Sequence, residues 1–255
     1  MLLGIDIGNT TIYFGVMENN KVVKTFRITT QKDALYDEYL IFIKKVLEEN
    51  VELSKIDGVV LASVVPEITG EVEKVIEKIL NLKVVVVKRD VIEPFKVVPN
   101  CLRDLGADLI ADSTGAIVKY GVPALVFDMG TATTCSVINK DGNFLGGLIC
   151  PGLKTSMNAL IGNASQLSSF SLGNPKEVVG KQTSDCINNG VIYGHSEMIN
   201  GLRRKVEEET GEKYTVILTG GNSDYVAEYV DKDIIHDKYL IFYGLNEMYK
   251  KYISK

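Results

Sequence analysis

Apolar and polar positions along the chain follow two alternating periods. Leu2 to Ile7 is a short apolar run that Gly8-Asn9-Thr10-Thr11 interrupts, Ile12 to Val16 resumes it, and Glu18-Asn19-Asn20 reads as a turn into a third run, Lys21 to Ile28. This predicts a strand, a polar bend, a second strand and a hairpin. From Asp37 to Asn50 the spacing becomes helical, with Tyr39, Leu40, Ile43, Val46 and Leu47 on one face. Gly58 to Ser63 then reads as a buried strand, Ile68 to Leu80 as a helix and Lys83 to Val87 as a strand. Such alternation predicts helices packed on a largely buried mixed sheet. After Pro94-Phe95 an irregular segment leads into Asp104 to Val118, a loop followed by a helix rich in small residues.

At Ala124 the pattern restarts. Ala124 to Thr134 repeats Leu2 to Ile12 at a constant offset, since Asp6 to Asp128 and Gly8 to Gly130 are both 122 residues apart, and Lys140-Asp141-Gly142 sits at that offset from Glu18-Asn19-Asn20. Motif, strand and turn in one register favour duplication of a whole domain. The chain therefore divides into related α/β halves, 1–119 and 120–255, each presenting Asp-x-Gly to a cleft between them, where ligand sites are favoured. In the second half, helices are expected at Gly152 to Leu160, Ser184 to Thr210 and Asp224 to Val230, with a strand at Tyr214 to Leu218.

Composition narrows the function classes. With 45% hydrophobic and 24% charged residues in 255, whole-chain disorder is excluded. Lys plus Arg is 28 against 33 for Asp plus Glu, a net charge of −5, which excludes sequence-independent attraction to nucleic acid or an anionic membrane. Cys101, Cys135, Cys150 and Cys186 are widely spaced, and only His195 and His236 are available to complete a metal site, so reduced thiols in a cytoplasmic protein are expected. No apolar stretch approaches the roughly 18 residues of a membrane span, and Asp6 interrupts any signal-like core.

Four motifs carry candidate chemistry. In Asp6-Ile7-Gly8-Asn9-Thr10-Thr11 the glycine permits close approach, N–H groups and Asn and Thr side chains can donate to phosphate oxygens, and the aspartate suits a divalent cation bridging to them. One copy alone reads equally as a polar turn; two in register favour a nucleotide site. Asp128 follows an apolar strand, a frequent position for functional carboxylates, or caps a turn. Thr219-Gly220-Gly221-Asn222 would admit a nucleoside face and offer N–H groups, or is an ordinary strand-to-helix turn. Gly106-Ala107-Asp108 precedes a helix starting near Leu109, so Asp108 reads either as a general base or as an N-cap. His195 has no triad or metal spacing around it and reads as structural or surface, and Arg203 to Glu209 reads as a solvated helix face.

Together these residues resemble the superfamily of acetate and sugar kinases, heat-shock chaperone ATPases and actin, and within it the type III pantothenate kinases. The resemblance runs through Asp6-Ile7-Gly8-Asn9-Thr10, Asp37-Glu38-Tyr39, Ser63-Val64-Val65-Pro66, Gly106-Ala107-Asp108, Asp128 to Thr134, Gly146-Gly147, Pro151-Gly152-Leu153, Gly180 to Thr183 and Thr219-Gly220-Gly221. It implies duplicated ribonuclease H-like (actin-like ATPase) domains with mixed sheets, and a homodimer. It also implies ATP-dependent phosphorylation of pantothenate to 4′-phosphopantothenate, the first step of coenzyme A biosynthesis. Position by position, it implies that Asp6, Ile7, Gly8, Asn9, Thr10 and Thr11 meet the ATP phosphates and Mg2+, with Thr131 and Gly220 as further ATP contacts. Asp108 would be the general base in an acceptor site formed with Gly106, Ala107 and Leu109. Asp128 would bind an activating monovalent cation, K+ or NH4+, and Thr183 would reach pantothenate across the dimer interface.

The chain departs from the family pattern on the acceptor side. Leu109 stands where the family has an arginine, removing a charge and paired donors. Pro99 replaces a tyrosine, with Phe95 and Arg103 nearby, and Thr-Thr-Phe-Asp reads Thr133-Thr134-Cys135-Ser136. Two other readings therefore stay open: a catalytically weak regulatory or binding paralogue, and a kinase for another hydroxylated metabolite. Asp6, Asp108 and Asp128 together favour an enzyme.

Overall fold

Runs of Val, Ile and Leu punctuated by asparagine and glycine turns build two sheets with the same plan. The structure, a computed structural model, describes residues 1–87, 105–162 and 172–254, and the backbone of 96–97. Phe95, Pro99, Cys101 and Arg103 lie outside the described residues.

The first unit begins with β1 (Leu2–Ile7), β2 (Thr11–Glu18) and β3 (Lys21–Thr29). Asn19 and Asn20 both take positive φ, 49° and 62°, the twist of a two-residue hairpin. α1 (Tyr36–Asn50), β4 (Gly58–Ser63), α2 (Pro66–Leu80) and β5 (Val84–Val86) follow. Glu38 accepts the Leu35 N–H at 2.7 Å to start α1, while Pro66 opens α2 and Asn81, at φ 52°, closes it. The sheet order is β3-β2-β1-β4-β5, antiparallel across β1, β2 and β3 and parallel across β1, β4 and β5. Its core joins Leu3, Ile5, Ile7, Phe14 and Leu61 to Ile43, Leu47, Val72 and Ile76 of the helices. Each such side chain, fully buried, contributes about 1.5–3 kcal/mol relative to exposure.

After β6 (Lys96–Val97) and α3 (Ala107–Tyr120), the second unit repeats the plan with β7 (Ala124–Met129), β8 (Ala132–Ile138), β9 (Asn143–Pro151), α4 (Leu153–Gly162), α5 (Thr183–Thr210), β10 (Thr215–Thr219) and β11 (Ile235–His236). Its order, β11-β10-β7-β8-β9-β6, reproduces the first sheet and adds β6 beyond β9. A bulge falls between Val16 and Met17 in one copy and between Val137 and Ile138 in the other. The expected constant offset does not hold through the repeat. Asp6 pairs with Tyr13 and Asp128 with Thr134, because the second turn is one residue shorter: Gly8 N–H reaches Thr11 O at 3.0 Å, and Gly130 N–H reaches Ala132 O at 2.9 Å.

The compact units also differ from the expected halves. The first takes its described residues from Met1–Lys96, Leu102–Lys119 and Tyr239–Lys255, and the second from Val97–Cys101 and Tyr120–Lys238. The C-terminal helix α6 (Leu240–Ile253), which the sequence pattern did not disclose, therefore belongs to the first unit. Phe242 fills the space left by Gly15 and lies 4.7 Å from the Tyr13 ring, and Gly244 sits directly against the Ala111 carbonyl of α3. The helix expected over Asp224 to Val230 is instead a short 3-10 turn at Ser223–Tyr225, closed by three-residue bonds such as Val226 N–H to Ser223 O at 3.1 Å. Among the described residues, no helix is long and apolar enough to cross a membrane.

Candidate functional site

In the first unit the candidate residues converge on the carboxyl ends of the parallel strands β1 and β4, the usual ligand edge of such sheets. Asp6 is half-buried near the end of β1, and the Ile7 side chain lies wholly in the core, while its carbonyl accepts the Val64 N–H at 3.0 Å. Asn9 and Thr10 are exposed at the tip of the turn, with Gly8 and Thr11 half-buried at its base. Thr30 clamps this turn twice, its N–H to Thr10 O at 3.0 Å and its hydroxyl to Gly8 O at 2.7 Å. Lys32 donates to Asn9 Oδ1 at 3.0 Å.

Asp108 is brought to the same edge. α3 begins at Ala107, so Asp108 lies inside its first turn and is not the cap that precedes it, and its Oδ1 accepts the Leu109 N–H at 2.7 Å. Burial raises its carboxyl pKa above the ordinary value, against the lowering effect of that backbone bond. Gly106 leaves this carboxylate its room: a Cβ there would overlap Asp108 Oδ1 and lie 3.5 Å from Val64 Cγ1. Ala107 and Leu109 are half-buried on either side. A partly desolvated carboxylate at a helix start, next to a polar turn, is suited to accept a proton.

In the second unit Asp128 is half-buried near the end of β7, paired with Thr134 on one side and Thr219 on the other. Gly220, at φ 91°, packs on it so closely that a Cβ would overlap the Asp128 carboxylate and the Met129 backbone. Asn222 holds the facing turn by donating its side-chain amide to Gly130 O at 2.9 Å and its N–H to Met129 O at 2.9 Å. Thr131 is exposed, and its carbonyl accepts both the Gly152 N–H at 3.1 Å and the Thr155 hydroxyl at 2.7 Å.

Sequence reasoning missed the support under Gly220. Ser223, fully buried, donates to Gly220 O at 2.7 Å and therefore accepts from His236 Nε2 at 2.8 Å. Burial lowers the His236 pKa, so the ring is neutral near pH 7 and carries its proton on Nε2. Only the Thr-Gly-Gly-Asn-Ser spelling hinted at this turn.

Thr183 stands on the first turn of α5, exposed, and lines a cavity of about 480 Å³ between α4 and α5 with Pro151, Leu160, Cys186, Gly190 and His195. Pro151, which pairs with Ala132, is its link to the Asp128 region. His195 is buried and structural, its Nδ1 donating to Val191 O at 2.7 Å. Cys135 is also structural: it lies in the core, where burial pushes its thiol up to about 12.

The sequence model of the type III pantothenate kinases matches residues 2–205. A relative of that description from Acholeplasma laidlawii is 38% identical over 254 residues, covering 100% of each chain. Among solved structures, a protein from Campylobacter jejuni described as a conserved Baf family transcriptional activator aligns with a TM-score of 0.60 and 21% identity, over 99% of this chain and 100% of that one. The activator of 2-hydroxyisocaproyl-CoA dehydratase from Clostridium difficile, solved with ADPNP, aligns with a TM-score of 0.56 and 12% identity over 100% and 97%. At such identities the two structures bear on the fold alone.

Proposed function

The chain belongs to the type III pantothenate kinase family, and from that premise we propose that it transfers the γ-phosphoryl group of ATP to the primary hydroxyl of pantothenate, in the cytoplasm. The observation that carries this reading is the Asp108 carboxylate, desolvated, seated by Gly106 and placed at the strand edge that also bears the Asp6 turn. Asp108 takes the hydroxyl proton as the oxygen bonds to the γ-phosphorus and the bond to the β,γ-bridging oxygen breaks, releasing ADP. Gly8, Asn9, Thr10 and Thr11 position the phosphates, and Thr131 and Gly220 add nucleotide contacts.

Asp6 and Asp128 are the residues that would hold cations, Mg2+ at Asp6 and K+ or NH4+ at Asp128. Among the described residues no three His, Cys, Asp or Glu side chains form a cluster, so such cations would have to draw their remaining ligands from phosphate, water and carbonyl oxygens. Bound there, they would neutralise charge on the phosphates. Thr183 would meet pantothenate bound to the partner of a homodimer. The exposed Leu160, which lines the same cavity between α4 and α5 as Thr183, supports that contact.

The test is ADP release from Mg-ATP with K+ present, with and without pantothenate, for wild type and Asp108→Asn. Absence of pantothenate-dependent turnover in the wild type refutes the reading, and equal turnover in the variant removes Asp108 from its role. Leu109, half-buried beside Asp108, favours one second reading, an acceptor alcohol without a carboxylate. A neutral amide analogue of pantothenate phosphorylated with higher kcat/KM than pantothenate would establish it.

A further inference from the structure

Resting on the nucleotide reading above, we propose that Lys32 is a polyphosphate contact of the Asp6–Thr11 turn, kept in place by Asn9 and Glu67 and passed to a phosphate oxygen when nucleotide binds. The segment after β3 is not a passing loop. Thr30 uses both its N–H and its hydroxyl on carbonyls of the turn, which fixes the backbone two residues before Lys32. Those bonds also occupy Thr10 O and Gly8 O, two acceptors that would otherwise repel an anion.

Lys32 then donates to Asn9 Oδ1 at 3.0 Å. An ammonium group has no acceptor, so the Asn9 carboxamide must turn its oxygen to Lys32 and its two N–H donors elsewhere, in the sense an incoming phosphate needs. The other neighbour of Lys32 is Glu67 at 3.8 Å, with both side chains well exposed, 45% and 60%. Exposed pairs at such separations are weak and exchange partners readily. In a chain of net charge −5 whose turn begins with Asp6, a lysine tethered at the tip supplies positive charge where a triphosphate would meet it.

The experiment is calorimetric titration of the full-length protein with Mg-ATP, without acceptor, across a range of sodium chloride concentrations. Lys32→Gln is expected to weaken ATP binding about tenfold at low salt, with the ratio to wild type shrinking as salt rises. Lys32→Arg should recover most of the loss, and Glu67→Gln should tighten binding by freeing Lys32 from its carboxylate. A Lys32→Gln ratio that is near one, or that does not change with salt, overturns the proposal, as does a Lys32→Arg variant no better than Lys32→Gln. Wild-type protein that does not bind ATP overturns the nucleotide reading and this proposal together; wild-type binding with Lys32→Gln unaffected overturns the proposal alone.

Discussion

The carboxylate of Asp108 occupies the volume that a side chain at Gly106 would need. The obstructing atom is the end of a flexible side chain, so Gly106→Ala is relieved by rotating the carboxylate away and leaves the backbone undisturbed. Turnover is expected to fall at least about tenfold, as for a mispositioned general base. The urea midpoint should move little. Steady-state kinetics and urea unfolding of the one variant check both halves.

The pH dependence follows from the raised Asp108 pKa. A base works deprotonated, so kcat/KM should fall on acidification through a limb above the ordinary carboxylate value of 3.8. Stability runs the other way. A carboxyl whose folded pKa is raised contributes stability below its unfolded pKa, and that contribution is lost as pH rises through the folded value. Asp108→Asn should therefore melt higher than wild type at pH 7 while losing turnover, and the two melting temperatures should converge below the ordinary carboxylate range.

Gly220 offers a contrast to Gly106. Its φ of 91° is unfavourable for any side chain, and a Cβ there meets the Met129 backbone as well as Asp128. Rigid backbone cannot rotate aside, so Gly220→Ala should cost at least about 2 kcal/mol in urea unfolding. Nucleotide binding should weaken in parallel.

Gly244→Ala tests the crossing of α6 on α3, where a Cβ would run into the Ala111 carbonyl and lie 3.0 Å from the Gly115 N. Separating the two helices would open the packing behind the helix that carries Asp108. A loss of about 3 kcal/mol or more is expected by calorimetry or denaturant melts. Gly70→Ala, whose Cβ meets nothing within 4 Å on the exposed side of α2, is the control and should be neutral or slightly stabilising.

The strands β1 and β4 were legible from the chain because Leu2–Ile7 and Gly58–Ser63 are bounded by polar or glycine breaks. The duplication was legible because the two Asp-x-Gly turns are spelled alike. Its one-residue slip was not, since Gly130 and Gly8 close their turns on acceptors whose sequence distance differs. What the spelling of α6 does not disclose is where it packs, because its counterparts, Gly15 and Gly58, lie in the first quarter of the chain. At the site, Asp108 could be named from sequence, but whether it caps α3 turned on where that helix starts. Lys32 could not be found at all, because its value depends on the two bonds Thr30 makes to a turn some twenty residues earlier.

The return of α6 to the first unit sets an order on synthesis. The face of β1 and β2 that receives Phe242 is made early, but its cover leaves the ribosome after every other described element. The second unit can close on its own residues while the first waits with that face open. A nascent chain halted before Leu240 would hold Asp6 and Asp108 in an unfinished unit, so competence for catalysis should arrive in a single late step and not accrue as the chain grows.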